Sequence, residues 1–123
     1  MKIKQSFSIQ ARWRSVLYAT EGVSSFFRNQ HNAIIHLFAT AIVFMAALFF
    51  GVSKTEIIAL VIVTGFVWVS EVFNTAIEAI MDHISPERHP KVKYIKDVAA
   101  AAVLLAAITA LVTGALIFIP KLF

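Results

Sequence analysis

The stretch Ile57-Ile58-Ala59-Leu60-Val61-Ile62-Val63-Thr64-Gly65-Phe66-Val67-Trp68-Val69-Ser70-Glu71-Val72-Phe73-Asn74-Thr75-Ala76-Ile77-Glu78-Ala79-Ile80-Met81-Asp82 decides the fold. It is uncharged from Ile57 to Ser70, and apolar residues continue to Met81 around Glu71, Asn74 and Glu78. A helix needs about 20 apolar residues to cross a bilayer, so the run predicts a transmembrane helix over 57–81. Two more runs flank it. Residues 29–53 and 98–120 hold no Lys, Arg, Asp or Glu, and they predict spans over 33–52 and 97–119. The turn Gly51-Val52-Ser53-Lys54 joins the first two spans. A polar loop over 83–96, with Pro86 and Pro90, joins the last two.

Composition agrees with this reading. The 123 residues are 59% hydrophobic and 15% charged, with a mean hydropathy of +0.81, against about 45–50% apolar in a soluble domain. Disorder is excluded, since it needs few apolar residues and high net charge. The absence of cysteine excludes a disulfide scaffold, a zinc–thiolate site and thiol redox chemistry. In such a chain the net charge of +4 reports topology and contact with anionic lipid rather than nucleic acid. The fold class is all-α and integral to the membrane.

Residues 1–28 lack the continuous apolar segment and cleavage site of a secretory signal. Trp13, Val16, Leu17, Val23, Phe26 and Phe27 recur at helical spacing, with Arg12, Arg14, Glu21 and Arg28 among the intervening residues. This pattern predicts an amphipathic helix over 7–30 lying at the membrane surface. Lys2, Lys4, Arg12, Arg14 and Arg28 on this arm, with Arg88, Lys91, Lys93 and Lys96 on the 83–96 loop, face only Lys54 and Lys121 on the other side. The arm and that loop are therefore expected in the cytoplasm, and the first turn and C-terminus outside.

The acids carry the chemistry. An ionisable residue inside a membrane is costly and marks function by default. At about 100° per residue, with Glu71 at zero, Asn74 falls near 300°, Glu78 near 340° and Asp82 near 20°. These four residues form one stripe, with Thr75 at its edge near 40° on the same estimate. Carboxylates and an amide so spaced suit a hard cation such as Mg2+, or a general base beside a metal. Next to them stand Arg88, His89, Lys91, Lys93, Lys96 and Asp97. Carboxylates for magnesium beside lysines for phosphate point to phosphoryl transfer from a nucleotide. The plainer alternative is that the acids form structural ion pairs with these lysines or with the arginines of the arm. Glycines 22, 51, 65 and 114 are isolated, and no glycine-rich phosphate loop exists. Helix side chains and the polar loop must build any ATP site.

The segment Glu71-x-x-Asn74-Thr75-Ala76-Ile77-Glu78-x-x-x-Asp82 resembles the signature of the prokaryotic diacylglycerol kinase and undecaprenol kinase family. Lys96-Asp97-Val98-Ala99-Ala100-Ala101-Ala102-Val103-Leu104 is similar to the segment that opens that family's third helix, and the resemblance covers about residues 11–119. It implies a homotrimeric enzyme of the bacterial inner membrane, with three transmembrane helices and an N-terminal surface helix per subunit, composite active sites on the cytoplasmic side, and transfer of the γ-phosphate of MgATP to a lipid alcohol. By the same resemblance Glu71 is the catalytic base and Glu78 binds Mg2+. Asn74 and Asp97 line the reaction centre, and Lys96 binds phosphate. Asp82, Glu87 and His89 lie near the nucleotide, and Tyr18, Arg12 and Arg14 help close its site.

One position departs from the family. Its E-x-N-x-R-x-H pattern, which supplies a second metal carboxylate, reads Gln30-His31-Asn32-Ala33-Ile34-Ile35-His36 here. Gln30 offers a metal an oxygen without charge. Because of this departure, a catalytically impaired relative, or a non-enzymatic oligomer serving as scaffold or cation pathway, is the alternative function. Elsewhere, His36 predicts a polar contact to another helix, and Trp68 and Phe66 predict packing. Ala102, Ala106, Ala110 and Gly114 predict a close-packed seam, and Pro120 is expected to end the last helix.

Overall fold

The computed structural model describes residues 6–123, so Lys2 and Lys4 lie outside the described residues. Four helices follow in order: α1 (Ile9–Asn29), α2 (His31–Phe50), α3 (Lys54–Ile84) and α4 (Pro90–Leu122). Among the described residues there is no strand. Three of the helices, α2, α3 and α4, are long and apolar enough to cross a membrane. The chain divides into two compact units, Met1–Ile34 and Ile35–Phe123.

In the first unit, α1 starts where the Ser8 hydroxyl accepts from the Ala11 N–H at 3.3 Å. It stops at Gln30, whose extended backbone (φ −116°, ψ 113°) breaks the helical path while its N–H still donates to the Phe26 carbonyl at 3.1 Å.

In the second unit the helices run antiparallel in sequence order. Gly51 ends α2 with φ +62°, a conformation glycine adopts without the Cβ penalty, and the Val52 N–H closes back on the Ala47 carbonyl at 3.2 Å. This is the Schellman closure. Ser53 and Glu56 then form a reciprocal capping box: Glu56 N–H donates to Ser53 Oγ at 3.2 Å and Ser53 N–H donates to Glu56 Oε1 at 2.9 Å. The adjacent core is built from Ala47 of α2, Leu60 of α3 and Ile117 of α4, with Val43, Phe44, Ile57 and Phe118 packed against it.

Two ion pairs bracket the α3–α4 hairpin. Lys121 Nζ meets Glu56 Oε1 at 3.1 Å at one end, and Lys96 Nζ meets Asp82 Oδ1 at 2.5 Å at the other. Glu56 and Asp82 lie about 39 Å apart along α3 at 1.5 Å per residue, and a hydrocarbon core is about 30 Å thick. The charges therefore fall at the two margins of the apolar slab. Ala106 of the expected small-residue seam is fully buried in α4, and Ala110 and Gly114 are half-buried. Ala102 is exposed, because the buried face of α4 passes through Ala99 instead.

Two boundaries differ from expectation. Most of the 83–96 segment is helical: α3 continues through Ile84, α4 begins at Pro90, and only residues 85–89 are irregular. His89 caps α4, its Nδ1 accepting from the Lys91 N–H at 3.1 Å, and Pro90 fills the first helical position, where a missing N–H costs nothing. Pro120 does not end α4, which runs to Leu122. A proline clashes with the carbonyl one turn before it, but so near the terminus little helix remains to disrupt, and the Lys121–Glu56 pair holds the last residues in place.

Candidate functional site

The site is built on α3. Its buried face passes through Leu60, Val67 and Glu71, spacings of seven and four that keep all three on one side of the helix. Glu71 is the one buried charged residue among those described, at 7% exposure. Across from it on α2, His36 Nε2 lies 2.6 Å from Glu71 Oε1. One turn away, Trp68 Nε1 donates to Thr40 Oγ1 at 3.1 Å. His36 thus makes the contact between helices that its sequence position predicts. Trp68, read from the sequence as a packing residue, also acts as a hydrogen-bond donor.

One and two turns further along α3, Asn74 Nδ2 donates to Glu78 Oε1 at 3.3 Å. The other amide atom, Asn74 Oδ1, is buried without a hydrogen-bond partner. A buried acceptor left unpaired costs about 1–3 kcal/mol, so this oxygen is built to meet a donor or a cation. No three His, Asp or Glu side chains cluster as a metal cage among the described residues. Mg2+ does not require one, because it is commonly held by one or two protein oxygens, substrate phosphates and water. Glu78 and Asn74 Oδ1 fit that demand.

Beyond the end of α3 lies an open hollow of about 730 Å³, lined by Glu87, Arg88, His89, Lys93, Lys96 and Asp97 among others. The irregular 85–89 segment supplies its rim with Arg88, and the first two turns of α4 supply Lys93 and Lys96. Within it Lys93 Nζ pairs with Asp97 Oδ2 at 2.5 Å, both side chains exposed, and Lys96 reaches out to Asp82. Asp82 and Asp97 are therefore ion-paired, as the plainer sequence alternative anticipated, whereas among the described residues Glu71 and Glu78 have no lysine or arginine partner. A basic, open hollow can receive a polyphosphate, and the stripe of carboxylate and amide oxygens begins about 10 Å from it along α3, Glu78 being seven residues before Ser85 of its lining.

The expected residues thus fall into three groups. Glu71, Asn74 and Glu78 form the stripe on α3. Asp97, Lys96, Glu87 and His89 surround the hollow, with Asp82 tied to it through Lys96. Arg12, Arg14 and Tyr18 lie exposed on α1 in the first unit, and Gln30 is half-buried at that helix's end. Sequence reasoning passed over Thr40, and named Arg88 and Lys93 within the basic cluster without giving either a role of its own. For Arg88 and Lys93 the signal was the local density of positive charge. For Thr40 the signal was its place one turn after His36.

Comparison with known proteins gives a consistent result. The family model described as prokaryotic diacylglycerol kinase matches residues 17–118. A diacylglycerol kinase of Synechocystis sp. is 37% identical over 109 residues, covering 88% of this chain but 62% of the relative, so the chain spans under two thirds of that protein. An undecaprenol kinase of Bacillus subtilis is 33% identical over 110 residues, covering 89% of each chain. A diacylglycerol kinase of Haemophilus influenzae is 31% identical over 105 residues, covering 85% of this chain and 89% of the relative.

Proposed function

The chain belongs to the prokaryotic diacylglycerol kinase family, a family of lipid kinases, and from that premise we propose that it transfers the γ-phosphoryl group of MgATP to the hydroxyl of a membrane lipid alcohol, a diacylglycerol or undecaprenol. The observation that carries this reading is a buried glutamate, Glu71, at the head of an α3 stripe whose next members are Asn74 and Glu78.

The nucleotide enters from the cytoplasm into the hollow at the α3–α4 end. Lys96, Lys93 and Arg88 meet its phosphates, and Glu87, His89, Asp82 and Asp97 border it. Glu78 and Asn74 Oδ1 would hold Mg2+, with Gln30 as a neutral further oxygen. Bound there, the ion would neutralise phosphate charge. The lipid hydroxyl approaches sideways from the bilayer, and Glu71 accepts its proton as the phosphoryl group passes in line. Glu78 is about 10 Å from Glu71 along the helix axis, so the phosphate chain of the nucleotide reaches inward from the hollow and brings the γ-phosphorus to the lipid hydroxyl.

A single three-helix bundle cannot surround such a site, and α2, α3 and α4 leave Phe38, Leu48, Phe73, Leu105 and Leu111 exposed. A homotrimer at the inner membrane, with α1 as an amphipathic surface helix bringing Arg12, Arg14 and Tyr18 to the nucleotide, completes the assembly. The excess of Lys and Arg on α1 and around the hollow supports a cytoplasmic position for both. ATP-dependent phosphorylation of diacylglycerol and of undecaprenol, measured side by side in mixed micelles, is the test. Phosphate incorporated into either lipid is expected, and none into both refutes the reading. No observation favours the scaffold or cation-pathway alternative.

A further inference from the structure

Glu71 is gripped by a residue that the mechanism above does not use. His36 Nε2 lies 2.6 Å from Glu71 Oε1, and a carboxylate acting as base only accepts hydrogen bonds, so in the base reading His36 Nε2 is the donor of this contact. His36 is itself fixed from two sides. Thr40 Oγ1 donates to the His36 carbonyl at 2.7 Å and accepts from Trp68 Nε1 at 3.1 Å. The Trp68 ring stands edge-on to the imidazole, with centroids 6.0 Å apart and planes at 65°. His36 and Thr40 are one turn apart on α2, and Trp68 and Glu71 are one turn apart on α3. The two pairs are therefore joined across the helices by the His36–Glu71 and Trp68–Thr40 contacts. The Glu71 side chain is 9% exposed and that of His36 27%, so solvent competes weakly for the bond.

We propose that His36 is the positioning residue for the Glu71 base: by occupying Oε1 it fixes the carboxylate and reserves Oε2 for the lipid hydroxyl. The proposal rests on the reading of Glu71 as base. In the transfer step the hydroxyl proton passes to Glu71 Oε2 and the hydroxyl oxygen bonds to the γ-phosphorus. The bond from that phosphorus to the bridging oxygen breaks, and ADP leaves with the electron pair. His36 keeps its proton throughout, and Glu71 returns its own to bulk water afterwards. The Thr40 bond to the His36 carbonyl is the ordinary back-bond of a helical threonine, so it is the contact of His36 Nε2 with Glu71 Oε1 that bears on the base.

The test compares the full-length protein with His36→Ala, His36→Gln, Glu71→Gln and the double variant His36→Ala/Glu71→Gln in mixed micelles. Oligomeric state and Tm are recorded for each. His36→Ala is expected to lower kcat about 10- to 100-fold, the cost of misplacing a catalytic group by about an ångström, with KM for MgATP within about twofold. His36→Gln, which keeps an N–H donor, is expected to recover most of that loss. In the Glu71→Gln background, His36→Ala is expected to cost nothing more. If Glu71→Gln abolishes turnover while His36→Ala keeps it, the positioning role alone is overturned. The same follows if His36→Ala costs as much in both backgrounds, or if His36→Gln relieves nothing. Full turnover in Glu71→Gln overturns the reading of Glu71 as base. Where His36→Ala does not fold, His36→Leu against His36→Gln carries the same comparison.

Discussion

Lys96 Nζ, in the second turn of α4, lies 2.5 Å from Asp82 Oδ1 at the end of α3, so the cation expected to bind phosphate is shared with a carboxylate at the edge of the hollow. The two side chains are 36% and 65% exposed, and a pair so open contributes at most about 1 kcal/mol to stability. Its importance is therefore to the site rather than to the fold. A phosphate entering the hollow competes with Asp82 for Lys96.

Lys96→Met is accordingly expected to raise KM for MgATP by about tenfold or more, equivalent to about 1.4 kcal/mol of binding, with little change in Tm. Steady-state kinetics at varied MgATP, with Tm in the same detergent, check both halves. An unchanged KM removes Lys96 from the nucleotide site.

Glu71→Gln keeps the size of the side chain and its ability to accept from His36, but removes the base. Turnover is expected to fall about 100-fold or more, within the range that a positioned general base contributes. Nucleotide affinity measured by equilibrium binding is expected to stay within about twofold.

Gln30→Glu restores the carboxylate that the family pattern carries at the end of α1. A hard cation is held more tightly by a charged oxygen than by an amide oxygen. The Mg2+ concentration giving half-maximal activity is expected to fall several-fold, roughly 3- to 10-fold, on that basis. A titration that superimposes on the parent curve excludes this residue from the metal site.

At the far end of the bundle, substitutions are expected to affect stability and leave the chemistry alone. Gly51→Ala places a Cβ in open space, so its penalty comes from the backbone, held at φ +62°, and amounts to roughly 1–2 kcal/mol. Ser53→Ala removes the α3 cap and costs about 1 kcal/mol. Unfolding in detergent should report both losses, while kcat stays at the parent value, because Ser53 lies about 27 Å along α3 from Glu71.

The three long apolar helices and the acid stripe are legible in the chain alone. Both follow from local rules: a bilayer demands an unbroken apolar length, and helical period alone puts Glu71, Asn74 and Glu78 on one side. Helix boundaries were less legible. The run of charges before Asp97 reads as a loop, but His89 and Pro90 supply a helix start, and the first turns of α4 lie beyond the apolar slab, where exposed lysines cost nothing. Pro120 reads as a stop, but stands where too little helix follows for it to break.

Which polar groups meet follows from how the helices pack. His36 and Glu71 are separated by 35 residues, and their contact depends on the antiparallel register of α2 against α3. That register is held along the interface itself, by the packing of Ala47 on Leu60 and the bond from Trp68 to Thr40. The same holds for Asp82 with Lys96 and Glu56 with Lys121. Composition and periodicity fix which face of a helix a side chain occupies, because each is a property of one helix. The partner across the interface depends on how two helices are aligned along their axes. That alignment belongs to the packed bundle.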